Sequence, residues 1–183
     1  MLYWIGQGLG LVSTGLGIVT PVFKKKWQML AVNICGNLIL ALNLICLDRI
    51  GSGIFMFLIA AVQGAFNLFR TLKNAKPHPA ENAIFLLLYL GLGVYGLVTA
   101  PGFVPAVNGQ NLLELLPIIG AVLSMCFLTT RDEKKARAFY IVCCSVWVVY
   151  YAFILSTAIF GSLLSVITGI LAAIRDRKEK TAA

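Results

Sequence analysis

Apolar residues along the chain gather into seven runs, separated by short polar or charged breaks. The runs cover residues 3–22, 28–47, 51–69, 83–99, 112–128, 138–155 and 158–174. Each is continuously apolar and does not alternate, a pattern that selects helices over the strands of a membrane barrel. A bilayer core of about 30 Å takes roughly 20 helical residues, with about 17 as the lower limit. Each run therefore fits one crossing. Residues 156–157, Ser-Thr, are the only polar break between the last two runs. Their combined length is too great for one span, so two helices are expected there.

Composition makes the surrounding solvent explicit. Hydrophobic residues make up 60% of the 183, and charged residues only 12%, against roughly 45–50% and 25% in soluble domains. Mean hydropathy is +0.90. So few charges cannot clothe a water-facing surface, which excludes a soluble enzyme, a nucleic-acid-binding domain and a disulfide-stapled secreted module. The five cysteines, Cys35, Cys46, Cys126, Cys143 and Cys144, all lie inside apolar runs and show no CxxC spacing. Reduced, buried thiols are expected. The N-terminal Met-Leu-Tyr-Trp-Ile-Gly has no basic region and no small-residue cleavage site. The first run is expected to stay as a helix.

Net charge is +8, and its placement fixes an expected orientation. With seven helices, the first, third and fifth loops and the C-terminus share a side. They hold Lys24, Lys25 and Lys26; Arg70, Lys73 and Lys76; Arg131, Lys134, Lys135 and Arg137; and Arg175, Arg177, Lys178 and Lys180. Only Arg49 lies on the other side. The positive-inside rule then puts the N-terminus outside and the C-terminus in the cytoplasm.

Internal similarity divides the chain further. Residues 54–73 align without gaps to 159–178, with Ile54/Ile159, Phe55/Phe160, Leu58/Leu163, Gly64/Gly169, Arg70/Arg175 and Lys73/Lys178 identical. Each half reads helix, basic loop, helix, short turn, helix. The expected architecture is all-α: a three-helix repeat over 1–74, a linker helix over 82–100 and a second, parallel repeat over 111–178. At a spacing of 108, helix two aligns with helix six, pairing Asn37 with Ser145 and Cys35 with Cys143.

This 3+1+3 arrangement resembles the SWEET/PQ-loop superfamily, although Pro21 is followed by Val22 and no Pro-Gln pair occurs. A closer likeness lies in wording. YWIGQGLGLVSTGLGI (3–18), NLLELLPIIGAVLS (111–124) and CCSVWVVYYAFI (143–154) resemble the bacterial inner-membrane YgjV family. That likeness implies an inner-membrane location. The superfamily likeness implies a substrate held near the midplane between parallel repeats, with sugars and nucleoside-like vitamin precursors as candidates.

No Asp, Glu, Lys, Arg or His lies well inside any run. Asp48, Arg49 and Glu114 sit at the outer boundary, and the single His78 falls in the loop KPHPAEN. Coupled pumps and intramembrane enzymes need ionisable groups or clustered ligands at depth. An uncoupled, non-enzymatic protein without cofactor or metal is the expectation. The neutral polar candidates for substrate binding are Asn37, Gln63, Asn67, Trp147, Tyr151 and Thr168. Asn33 and Asn37 are four apart on one helical face, as are Gln63 and Asn67, while Asn43 is turned from the Asn33/Asn37 face. Cys143, Trp147, Tyr150 and Tyr151 form one stripe on helix six, with Tyr150 near the outer end suited to an interfacial anchor, like Tyr3, Trp4 and Trp27. Two functions fit. One is a facilitator of a small neutral solute, its polar groups lining a pocket. The other is a non-transporting interaction or assembly partner whose amides tie helices together. Partners expected are the lipid bilayer and the solute, with a homo-oligomer open and nucleic acid excluded. Gly6, Gly10 and Thr14, a small-residue stripe, predict close helix packing.

Overall fold

The computed structural model describes residues 1–20, 26–49, 51–73, 75, 78–100, 103, 105, 109–129 and 133–181; at 26, 110, 129, 133–137, 172–173 and 175–181 it describes backbone alone. Pro21, Lys24, Lys25, Lys76 and Arg131 lie outside the described residues, as do the side chains of Lys26, Lys134, Lys135, Arg137 and the four basic residues of the C-terminal tail. Seven helices are present among the described residues: α1 Leu2–Val19, α2 Lys26–Cys46, α3 Ser52–Leu72, α4 Pro79–Thr99, α5 Gly109–Thr129, α6 Glu133–Phe153 and α7 Ala158–Thr181. No strand occurs among the described residues. Residues 156–157 do separate two helices. Helices α1 to α5 are long and apolar enough to cross a membrane; α6 and α7 contribute shorter apolar stretches, Ala138–Phe153 and Ala158–Leu171.

Six helices close into a ring. Each neighbours the next in the order α1, α2, α3, α5, α6, α7, and α7 returns to α1. Helix α4 packs against α3 and α5. Its own outward face is apolar: Leu87 is 69% exposed, and Phe153 on α6 is 68% exposed. Side chains of that kind are stable only against lipid. The buried core inside the ring is built from Leu44, Met56, Phe57, Trp147, Tyr150 and Tyr151.

Two short turns, α2–α3 and α6–α7, lie at one end of the ring and have the same backbone bonds. In the first, the N–H groups of Leu47, Asp48 and Arg49 donate to the carbonyls of Asn43 (3.0 Å), Ile45 (3.1 Å) and Leu44 (3.0 Å). In the second, Ile154, Leu155 and Ser156 donate to Tyr150 (3.2 Å), Ala152 (3.4 Å) and Tyr151 (3.1 Å). Asp48 and Leu155 hold the left-handed position, at φ 56° and 53°, so both helices end in a Schellman turn. Each donor of the second turn lies 107 residues beyond its counterpart. At these turns the offset is thus one residue shorter than the 108 expected between helix two and helix six.

Small residues set the spacing between elements. A Cβ on Gly10 of α1 would lie 2.3 Å from Thr157 Oγ1 and 2.9 Å from the Ala158 nitrogen, and one on Gly161 of α7 would lie 2.8 Å from Thr14 Cα. Helices α1 and α7 thus meet almost backbone to backbone, which is the packing the stripe predicts. Gly96 does the same for α4, its absent Cβ falling 2.7 Å from Ser52 Cα. At the opposite end, Arg70 pairs with Glu81 and ties the end of α3 to the start of α4. His78 caps α4 by accepting the Ala80 N–H at 3.2 Å.

Candidate functional site

The turn end of the ring is tied shut by two matching junctions. Ser52, opening α3, donates its N–H to Glu114 Oε2 (3.0 Å) and its hydroxyl to the Glu114 carbonyl (2.6 Å) and to Oε2 (2.9 Å). Thr157, opening α7, donates its N–H to Gln7 Oε1 (2.8 Å) and its hydroxyl to the Gln7 carbonyl (2.6 Å). Gln7 also gives its amide N–H to the Leu155 carbonyl at 2.9 Å. A helix start leaves its first N–H groups unpaired. Here a side chain from the neighbouring helix supplies the missing acceptor.

Asn43 adds a third tie. It is fully buried, donates to the Gly6 carbonyl at 2.7 Å and accepts the Ser156 hydroxyl at 3.2 Å. Turned from the Asn33/Asn37 face as expected, it nevertheless joins α2, α1 and the α6–α7 turn. Tyr150, expected at the interface, is only 1% exposed. It packs edge-on against Trp147, with ring centres 5.7 Å apart. The reason is its place beside Gly53, which leaves room for the phenol: a Cβ there would sit 3.0 Å from the Tyr150 hydroxyl.

Beyond these ties the ring is hollow. A cavity of about 130 Å³ runs from the level of Tyr151 and Ala158 toward the end where the basic loops lie. Helix α2 contributes Asn33, Asn37 and Leu40; α6 contributes Tyr140, Cys143, Cys144, Trp147 and Tyr151. Ser13 and Gly17 come from α1, Phe57 from α3, and Ser124 and Phe127 from α5. Helix α7 closes the wall with Ala158, Gly161, Ser162 and Ser165. No charged side chain lines it among the described residues. Trp147 is stacked 4.5 Å from Phe57 and 5.7 Å from Tyr151, which holds the aromatic wall rigid.

The six expected site residues divide evenly. Asn37, Trp147 and Tyr151 line the cavity. Gln63 does not: it is buried on the other side of α3, where its Oε1 accepts the Tyr89 hydroxyl at 2.8 Å and binds α4. Asn67 lies a turn further along the same face, its amide nitrogen buried and without a partner among the described residues. Thr168 spends its hydroxyl on its own helix, at the Leu164 and Ser165 carbonyls (2.9 and 3.2 Å). Helix α3 thus turns its amide face to α4 and its aromatic Phe57 to the cavity, and face alone could not distinguish the two.

Asn33 and Asn37 act together. The Asn37 amide donates to Asn33 Oδ1 at 2.9 Å. Tyr151 is 2% exposed, and its hydroxyl has no hydrogen-bond partner among the described residues. Several lining residues had a legible signal that stopped short. Tyr140 and Cys144 extend the α6 stripe back by helical spacing, and Ala158, Gly161, Ser162 and Ser165 form a small-residue face on α7. No disulfide links the five cysteines, and no His/Cys/Asp/Glu group could hold a metal among the described residues.

Residues 4–180 match the profile of Imp-YgjV, a bacterial inner membrane protein family, and the chain belongs to that family. No curated protein and no solved structure matches it.

Proposed function

We propose that this bacterial inner membrane protein is an uncoupled facilitator of a small neutral solute, and not an enzyme. The cavity carries the reading: it lies between the six ring helices and is open on one side, lined by amides, hydroxyls and aromatic rings, and free of charged side chains among the described residues. A site of that composition suits a neutral ligand with a few polar groups. Without an ionisable group at depth, no side chain there takes up and releases a coupling proton. Flux then follows the solute's own gradient.

The architecture behind this reading is two parallel three-helix repeats, α1–α3 and α5–α7, joined by α4. The matching Schellman turns and the paired Ser52–Glu114 and Thr157–Gln7 junctions support it. In this reading the turn end faces outward and the basic loops face the cytoplasm. The ties then close the outer side, while the cavity extends toward the inner one. The superfamily resemblance adds sugars and nucleoside-like precursors as solute classes.

The rival reading, a membrane assembly partner, draws on Gln63 and Asn43, both of which bond helix to helix. It gives no account of an amide pair placed on a cavity wall. Reconstituted proteoliposomes test the choice. Radiolabelled sugars, nucleosides and single-ring heterocycles should include at least one that equilibrates across the membrane only when the protein is present. A protonophore should leave that flux unchanged. Accumulation against a gradient, abolished by the protonophore, would overturn the uncoupled mechanism, and absence of flux for the whole panel would overturn transport.

A further inference from the structure

Resting on the facilitator reading, we infer that the cavity selects a solute of a single neutral ring bearing both a hydrogen-bond donor and an acceptor, the lactam or carboxamide class of heterocycle. Size is the first argument. The cavity holds about 130 Å³, close to the roughly 150 Å³ void that accepts a benzene ring in an apolar protein core. One six-membered ring fits within that space, whereas a ring carrying a ribose would have to extend out through the open side.

Chemistry narrows the class. Because Asn37 donates to Asn33, the pair keeps one amide NH₂ and one amide carbonyl free on the cavity wall. Exchanging the two ends of both amides leaves the same two free groups. A lactam or carboxamide presents the complementary pair, an N–H beside a C=O. The opposite wall is aromatic. Phe57, Tyr140, Trp147 and Tyr151 offer ring faces and edges, against which a planar ring packs better than a puckered one. A polyol would have to match five hydroxyls at once against the serines and the amide pair, and each one left unmatched is costly once out of water. Tyr151 contributes its ring to the aromatic wall, its hydroxyl being buried without a partner among the described residues.

Equilibrium dialysis of the full chain in nanodiscs, with tritiated uracil, nicotinamide, glucose and uridine, tests this. Uracil or nicotinamide should bind saturably and more tightly than glucose and uridine. Asn37→Leu should weaken that binding about tenfold, the scale of one lost hydrogen bond in a desolvated site. Tyr151→Phe is the second variant. It should raise the ligand-free Tm, because it removes an unsatisfied buried hydroxyl, while leaving ring binding within about twofold, since the aromatic face is kept. Tighter binding of glucose or uridine, or no binding of either ring amide, overturns the inference. Ring binding that Asn37→Leu leaves unchanged overturns it equally. If glucose or uridine is carried in proteoliposomes and the ring amides are not, the ring inference falls alone and the facilitator reading stands. If nothing is carried, both fall.

Discussion

The two junctions at the turn end share a geometry and differ in chemistry. Between α3 and α5, the Glu114 carboxylate receives both the N–H and the hydroxyl of Ser52. Between α1 and α7, the Gln7 carboxamide receives the Thr157 N–H and gives its own N–H to the Leu155 carbonyl. An acceptor is needed at both places, because both helices begin there with unpaired N–H groups. A carboxylate offers only acceptors, so it suits a place where every neighbour donates. A carboxamide has a donor to place as well, and the Leu155 carbonyl takes it. Backbone geometry is thus held in common while side-chain chemistry follows the local supply of donors. The cavity walls diverge further, with Asn33 and Asn37 on α2 facing the place that Tyr140 and Cys144 take on α6.

The largest effect should come from the tie that has no equivalent. Asn43→Ala leaves the fully buried Ser156 hydroxyl without its acceptor and takes the second hydrogen bond from the Gly6 carbonyl, which stays paired within α1. It should cost about 3 kcal/mol, at about 1–3 kcal/mol per unsatisfied group, measured as the drop in unfolding free energy in detergent. Tyr150, 107 residues on, is held by ring packing against Trp147 and Tyr151, so Tyr150→Phe should cost less. Equal losses for Asn43→Ala and Tyr150→Phe would break the comparison.

Exchanging the two acceptors should be unequal in its cost. Gln7→Glu places a carboxylate oxygen against the Leu155 carbonyl and removes a donor, for a loss of about 2 kcal/mol. Glu114→Gln keeps the acceptor for Ser52 and should cost at most about 0.5 kcal/mol. Between these lies Leu155→Gly. A leucine at φ 53° carries left-handed strain of about 1–2 kcal/mol, so glycine should raise stability by up to about 1 kcal/mol. Asp48→Gly should gain less, since aspartate tolerates that conformation better. Thermal unfolding of the four variants in one detergent gives the ranking directly.

Much of the fold was legible because lipid makes each helix announce itself as an apolar run. The seven elements follow from run length alone. The site was legible by half. Periodicity places Gln63 and Asn67 together on one face of α3, yet nothing in spacing says that the face meets α4 and Tyr89. Asn43 was recognisable as turned from its neighbours but not as a buried tie, since its partners Gly6 and Ser156 lie 37 and 113 residues away in the chain. At the turns the offset is one residue shorter than the helix wording gives, because the turn itself sets it there. The aromatic stripe on α6 carried through, for bulky residues at i, i+4 and i+8 have only one face to fill.

A facilitator of this design carries its solute through the cavity between the α2 and α6 walls. Ser162 lines that cavity from α7, and Ser162→Phe would fill a large part of the space with a ring. The decisive measurement is proteoliposome flux of whichever panel solute the unaltered protein carries, compared with the Ser162→Phe variant at equal reconstitution. The account predicts at least a tenfold loss of flux with the folded protein retained, as judged by its unfolding transition. Flux equal to that of the unaltered protein, through a filled cavity, would contradict it.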